Sequence, residues 1–270
     1  MVKRMFSFIT ETWNPIAMRC GFDCDYCWSE ALKDGRLKNT AKYKDLARPY
    51  LVEREYSREF KKGDFVFVED MGDLFWDGVS DELVRAVLQM CCWISVTEGA
   101  RVLILTKNPA RMLQFADMLP KTALVGATIE TNRAVACSKA PHPFERVRAM
   151  IKLEHPHKFV CIEPIMDFDL AEFMTMIARI KPEKVAVGYD NHKNNLPEPP
   201  LWKTMELINS IEFLDIPIEK KSLREARARS YLRLGYVSSY LEIMEDETIT
   251  ERMEREELAR ETGHYEQRPA

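Results

Sequence analysis

The sequence has no run of about 18 apolar residues, so no segment is expected to cross a membrane as a helix. No export signal is expected either. The start MVKRMFSFITETW is basic, but Thr10 and Glu11 break the apolar stretch before it reaches the roughly 7–15 residues of a signal core. A cytoplasmic protein with no membrane partner is expected. Seven cysteines, an odd number without an export signal, argue against disulfides and toward metal or redox roles. There is no surplus of positive charge: the formal net charge of −4 removes any whole-chain attraction to nucleic acid. Internal repeats and low-complexity tracts are absent as well.

What is present is an ordinary globular composition, 46% hydrophobic and 30% charged over 270 residues. That is enough chain for one large α/β domain or two small ones. Short apolar runs alternate with longer helical patterns. Strands are expected at 5–12, 65–70, 101–106, 123–129, 159–165, 184–189 and 216–220, and helices at 81–99, from 107, 143–154, 169–179, 200–212 and 222–233. Continuous apolar strands separated by helices predict a parallel sheet. Six or seven β/α units fit an open, partial (β/α)6-type barrel better than a doubly wound sheet. Residues 1–235 are assigned to this barrel, with an insertion at 32–62 that carries ten Lys/Arg against five Asp/Glu. Residues 236–270, with ten acidic against four basic residues, are expected to form a charged helical extension.

In such a fold the site belongs at the C-terminal ends of the strands. Polar residues recur there: Glu69, Asp70 and Asp73; Thr106 and Lys107; Thr128 and Glu130; Glu163 and Asp167; Tyr189 and Asp190. Five polar strand ends in succession predict one lined cavity.

The stretch RCGFDCDYCW spaces Cys20, Cys24 and Cys27 so that one loop can wrap three thiolates around one face of an iron–sulfur cubane. A triad without a nearby fourth ligand leaves one iron open. The first cysteines after Cys27 are Cys91 and Cys92. The competing readings are a structural zinc site, which needs four Cys or three Cys and a His, and an unrelated trio.

CxxxCxxC with Tyr26 before the last cysteine, after a first strand, resembles the signature of the radical S-adenosylmethionine superfamily. TWNP (12–15), MGDLF (71–75), LTKNPARM (105–112), GATIET (126–131) and IEPIMD (162–167) extend the likeness. Together they resemble a phage-associated and archaeal radical S-adenosylmethionine family of unassigned substrate, related to spore photoproduct lyase. The chain departs from that pattern at Asn108, Ala127 and Thr128, and in IEKKS (218–222), where the family tends to a Lys-Gln-Trp phrase.

The resemblance implies a [4Fe-4S] cluster on Cys20, Cys24 and Cys27. It also implies reductive cleavage of S-adenosylmethionine to a 5′-deoxyadenosyl radical, with a reductant such as flavodoxin or ferredoxin as partner. It implies cofactor contacts from Tyr26, Asp70, Asp73, Thr106, Lys107, Thr128 and Glu130. Asp70 and Asp73 would meet the cofactor ammonium. Thr128 and Glu130 would meet its ribose hydroxyls or carboxylate. Lys107 would pair with the cofactor carboxylate or with Glu130, unless it is a solvated lysine at a helix start. Glu163 and Asp167 are candidates for substrate binding or proton transfer, against a purely structural pairing with a barrel Lys or Arg. Tyr189 is a candidate cavity group or a core tyrosine. Cys137 and Cys161 are thiols able to return a hydrogen atom to a radical, with buried inert cysteine as the plainer reading.

The basic, tyrosine-bearing insertion and the basic run 219–233 would suit a nucleotide or nucleic-acid substrate. A small metabolite or peptide is the alternative. A third reading is a non-catalytic zinc- or cluster-binding regulator that binds nucleic acid.

Overall fold

A computed structural model describes residues 5–227. In chain order the elements are β1 (Glu11–Trp13), β2 (Ile16–Ala17), α1 (Trp28–Asp34), β3 (Tyr50–Leu51), α2 (Glu53–Tyr56), β4 (Phe65–Val68), α3 (Asp81–Trp93) and β5 (Arg101–Thr106). They continue with α4 (Pro109–Met112), β6 (Leu124–Thr128), α5 (Pro143–Lys152), β7 (Lys158–Ile162), α6 (Leu170–Ile180), β8 (Lys184–Val187), α7 (Leu201–Phe213) and β9 (Ile218–Lys220).

Seven strands form one sheet in the order β1-β4-β5-β6-β7-β8-β9, and every neighbouring pair is parallel. Spatial order follows chain order, with no reversal of the kind that defines a doubly wound sheet. The result is the expected open half-barrel. Its two faces follow from strand alternation. Val66, Val68, Val102, Ile104, Val125, Val160, Ile162, Val185 and Val187 pack under the helices in the main core. Phe67, Leu103, Leu124, Phe159, Cys161 and Ala186 line the opposite face. Each fully buried aliphatic or aromatic side chain contributes about 1.5–3 kcal/mol, so this two-sided apolar patterning fixes the register.

Helix starts follow local chemistry. The Ser80 hydroxyl caps α3 by accepting from Leu83 N. Asn108 caps α4, with Pro109 at its first position. His142 caps α5 ahead of Pro143.

Two elements differ from expectation. The first strand is short. Instead of pairing, Phe6 and Ile9 turn under the sheet and bury against Phe67, Leu103 and Phe159, because aromatic burial there outweighs two more rungs of ladder. Residues 222–227 are not helical. They run across the strand ends, where Arg224 bonds Glu198 and Arg227 bonds Asp190. The remainder of that helix and the charged extension at 236–270 lie outside the described residues.

The 32–62 insertion returns to the body of the fold. β3 pairs antiparallel with β2, Trp13 Nε1 donates to Glu55 O at 2.8 Å, and Phe60 enters the main core. Among the described residues, no helix is long and apolar enough to cross a membrane.

Candidate active site

The cysteine loop leaves β2 and ends where α1 begins, with Cys27 at the N-cap position. Its position against the strand ends is set by a flat wedge. A Cβ on Gly21 would stand 2.5 Å from the Trp76 indole, and one on Gly78 would stand 2.2 Å from it. Only glycine at both positions lets Trp76 pack the loop against the segment after β4. On its other flank the loop is tied to residues 137–139: Asp25 N donates to Cys137 O at 2.9 Å, and Lys139 N to Phe22 O at 2.6 Å.

All three cysteines are free thiols of intermediate exposure. Burial, and then the nearby Asp73 carboxylate, push the Cys20 thiol well up, so it stays protonated until something binds the sulfur. Cys137, separated by 110 positions or so from the triad, packs with Cys24 against the small apolar patch of Tyr26, Met166 and Leu196. Spatially, then, a fourth thiol is near. Only the parallel topology brings it there, so chain spacing could not reveal it.

Beside the loop sits a buried charged node. Tyr26 donates to Glu130 Oε1 at 2.5 Å, and Lys107 Nζ bonds the same oxygen. Lys107 Nζ also lies 3.1 Å from the Tyr26 hydroxyl. Arg146 donates to Glu130 Oε2 at 2.8 Å and to Thr128 O at 2.9 Å. Burial alone would push the Glu130 carboxyl up. The Lys107 ammonium and Arg146 guanidinium outweigh it and hold Glu130 well below the usual carboxylate range. Burial lowers Lys107 and Glu130 raises it, with the net effect upward, so Lys107 is charged. The Tyr26 phenol is pushed up by burial and by Glu130 and stays neutral. Two cations against one carboxylate leave the node with an excess of one positive charge. Arg146 Nη2 has no hydrogen-bond partner in its buried position. Arg146 had no signal in the sequence beyond its helical spacing.

Asp73 and Thr106 form a second node. Asp73 Oδ1 accepts from Thr106 Oγ1 at 2.7 Å and from Phe75 N at 3.0 Å, and Oδ2 accepts from Lys107 N at 2.7 Å. Burial still raises its carboxyl. Asn108 N donates to Thr106 Oγ1 at 2.8 Å, and Asn108 Nδ2 reaches Phe75 O. Asn14 holds Asp70 at 2.5 Å and accepts from Met71 N at 2.9 Å. The carbonyl of Met71 accepts from Ser29 at 3.0 Å.

The remaining residues stand along the β7–β9 side. Glu163 pairs with Lys221, and burial raises its carboxyl against that pull. Asp167 pairs with Arg133 and, at 2.8 Å, with Lys203. Tyr189 is wholly buried. Its hydroxyl donates to Pro199 O at 2.9 Å and lies 2.6 Å from Thr204 Oγ1, so the ring belongs to the core, not to an open cavity. Cys161 lies on the sheet face away from the helices, and Cys91 lies in the main core.

The donor set suits an anionic sulfur-bound group. The loop that carries the three thiols meets, through Cys24 packed on Tyr26, a node with surplus positive charge and an unpartnered guanidinium nitrogen, and three thiolates with their metal would supply negative charge. Among the described residues, no three His, Cys, Asp or Glu side chains converge as a single-ion site requires.

Among solved structures, the chain is similar to a spore photoproduct lyase variant with bound AdoMet and dinucleoside spore photoproduct. Identity is 13%, with 66% of this chain and 55% of that chain covered and a TM-score of 0.46. It is similar to Streptococcus suis SuiB bound to S-adenosylmethionine at 10% identity, covering 84% and 53%, with a TM-score of 0.47. SuiB bound to the precursor peptide SuiA gives 10%, 88% and 53%, with a TM-score of 0.46. The chain thus spans about half the length of these proteins. No curated protein matches it. One family model matches residues 4–207, and the chain belongs to that family, described as "Protein of unknown function (DUF5131)".

Proposed function

We propose that the chain is a radical S-adenosylmethionine enzyme in which Cys20, Cys24 and Cys27 hold a [4Fe-4S] cluster with one iron open to the cofactor. The observation that supports it best is a single loop with three unpaired thiols whose Cys24 packs on Tyr26 of the Tyr26–Lys107–Glu130–Arg146 node. Held by these cysteines, a cluster would supply the electron for reductive cleavage of S-adenosylmethionine to methionine and a 5′-deoxyadenosyl radical.

The chain's own residues bind and orient. Lys107, charged and aligned by Glu130, suits the cofactor carboxylate. Asp70 and the carbonyls that follow β4 suit its ammonium. Thr128 and Glu130 suit the ribose. Asp73 and Thr106 act from behind, fixing the backbone of Lys107. Glu163 with Lys221, and Asp167 with Arg133 and Lys203, would face the substrate across the mouth. A flavodoxin- or ferredoxin-like protein would deliver the electron.

The substrate proposed is a nucleotide or nucleic-acid base. Of the ten cations at 32–62, Arg36, Lys38, Lys44, Arg48, Arg54, Lys61 and Lys62 are exposed. The described part of the basic run from 219 is different. Lys220, Lys221, Arg224 and Arg227 are all paired with carboxylates, so phosphate recognition rests on the insertion.

Anaerobic reconstitution with iron and sulfide tests the reading. A brown protein with about four irons per chain, releasing 5′-deoxyadenosine on reduction with S-adenosylmethionine, is expected. A colourless protein that retains only zinc would overturn it.

A further inference from the structure

Residues 137–139 do more than flank the cysteine loop. Their backbone is pinned on both sides of Ser138, by Asp25 N to Cys137 O and by Lys139 N to Phe22 O. The Lys139 ammonium adds an ion pair with Asp23 at 2.6 Å. Held this way, Ser138 Oγ lies 3.1 Å from Cys24 Sγ and 3.3 Å from Phe22 O. Ala140 N donates to the same hydroxyl oxygen at 3.1 Å. That incoming N–H occupies a lone pair and polarises the hydroxyl, leaving its proton for the sulfur or for Phe22 O. A metal-bound thiolate carries no proton and can only accept. The hydroxyl proton then goes to sulfur, as a charge-assisted bond.

The third thiol of the loop makes a useful contrast. Ser29 Oγ lies 3.5 Å from Cys27 Sγ and closer, at 3.0 Å, to Met71 O, to which it donates, whereas for Ser138 the sulfur at 3.1 Å is nearer than the Phe22 carbonyl at 3.3 Å. Ser138 is therefore the hydroxyl placed to act on a ligand sulfur.

Resting on the proposed cluster, we infer that Ser138 is a positioning residue that donates a hydrogen bond to the Cys24 thiolate and raises the reduction potential of the cluster. Hydrogen bonds to ligand sulfur withdraw electron density and favour the reduced, more negative state. The hydroxyl thus makes the one-electron reduction easier without touching the cofactor or the substrate.

The test is a redox titration of the reconstituted full chain, followed by the electron paramagnetic resonance signal of the reduced cluster. Ser138→Ala should keep the iron content and shift the midpoint to lower potential, while Ser138→Thr, which retains a hydroxyl, should stay near the wild type. Equal iron content with an unshifted midpoint in Ser138→Ala overturns the inference alone. A wild-type chain that takes up no iron overturns the proposed function and this inference with it. Where Ser138→Ala takes up no cluster, the wild type decides. Its iron–sulfur Raman bands should shift in deuterated water through the exchangeable hydroxyl, and bands that do not move overturn the inference.

Discussion

Removing the charge of Glu130 strands two cations, one of them the fully buried Arg146. Breaking a buried pair by deleting one partner costs about 3–5 kcal/mol. Glu130→Gln should therefore lower urea-unfolding stability by that order, more than Lys107→Met, which leaves Glu130 still bonded to Arg146 and Tyr26. Lys107→Met should instead weaken S-adenosylmethionine binding by roughly tenfold or more, a loss of one charge-assisted contact of about 1.5–3 kcal/mol, read by calorimetry on the loaded protein. At this scale the sequence was uneven. Lys107, Glu130 and Asp73 could be nominated because each lies in the segment that follows a strand. The Lys107–Glu130 pair could be anticipated as well. Arg146 on α5, which bonds Glu130, could not, nor could Lys221 after β9, which pairs with Glu163, or Ser138 in an irregular stretch, which meets Cys24, because a single sequence carries no signal for contacts across such distances.

The loop after β4 concentrates the element-scale consequences. Glu69 there has φ +56 and is wholly buried, accepting from Ile16 N at 2.6 Å while its second oxygen has no partner. Burial, opposed by that bond and by Lys42, pushes its carboxyl up to about 8. A carboxyl raised in the folded state binds more protons folded than unfolded between its two pKa values. Its contribution is present at low pH and is lost as pH rises from about 4.5 toward 8. Thermal stability should fall across that window by an amount on the order of a few kcal/mol, and Glu69→Gln should flatten the fall in calorimetric scans. The same loop carries Trp76. Gly21→Ala should displace the cysteine loop, at about 1–3 kcal/mol for an overpacked contact, and lower iron uptake; Trp76→Leu in the same chain should restore part of it. The element order was legible because buried parallel strands are continuous apolar runs. The failures have a physical cause too. Met5–Ile9 reads as a strand by composition, yet its aromatics find more burial under the sheet than beside it. The Gly21–Trp76–Gly78 contact is invisible without coordinates, because glycine signals turns as readily as close approach.

Across the whole molecule, charge is distributed unevenly despite the net value of −4. The exposed cations of the insertion predict binding of single-stranded DNA or RNA whose affinity falls steeply with added salt. Replacing Lys44, Arg48 and Arg54 with Gln should flatten that salt dependence by about two to three phosphate contacts, measured by fluorescence anisotropy. Salt-insensitive or absent binding would move the substrate toward a small metabolite or peptide.

The two flanks of the cysteine loop also set a timetable. The thiols lie between positions 20 and 27, but Trp76 and residues 137–139 are made much later. During synthesis the three sulfurs leave the ribosome well before either wall exists to shelter them. Until some 140 residues have emerged they stand open to oxidants and to stray soft metals. Stable loading of the proposed cluster is expected only after both flanks have closed on the loop. Ribosome-bound fragments ending before Cys137 should label rapidly at Cys24 with a thiol reagent, and fragments long enough to fold the half-barrel should label slowly.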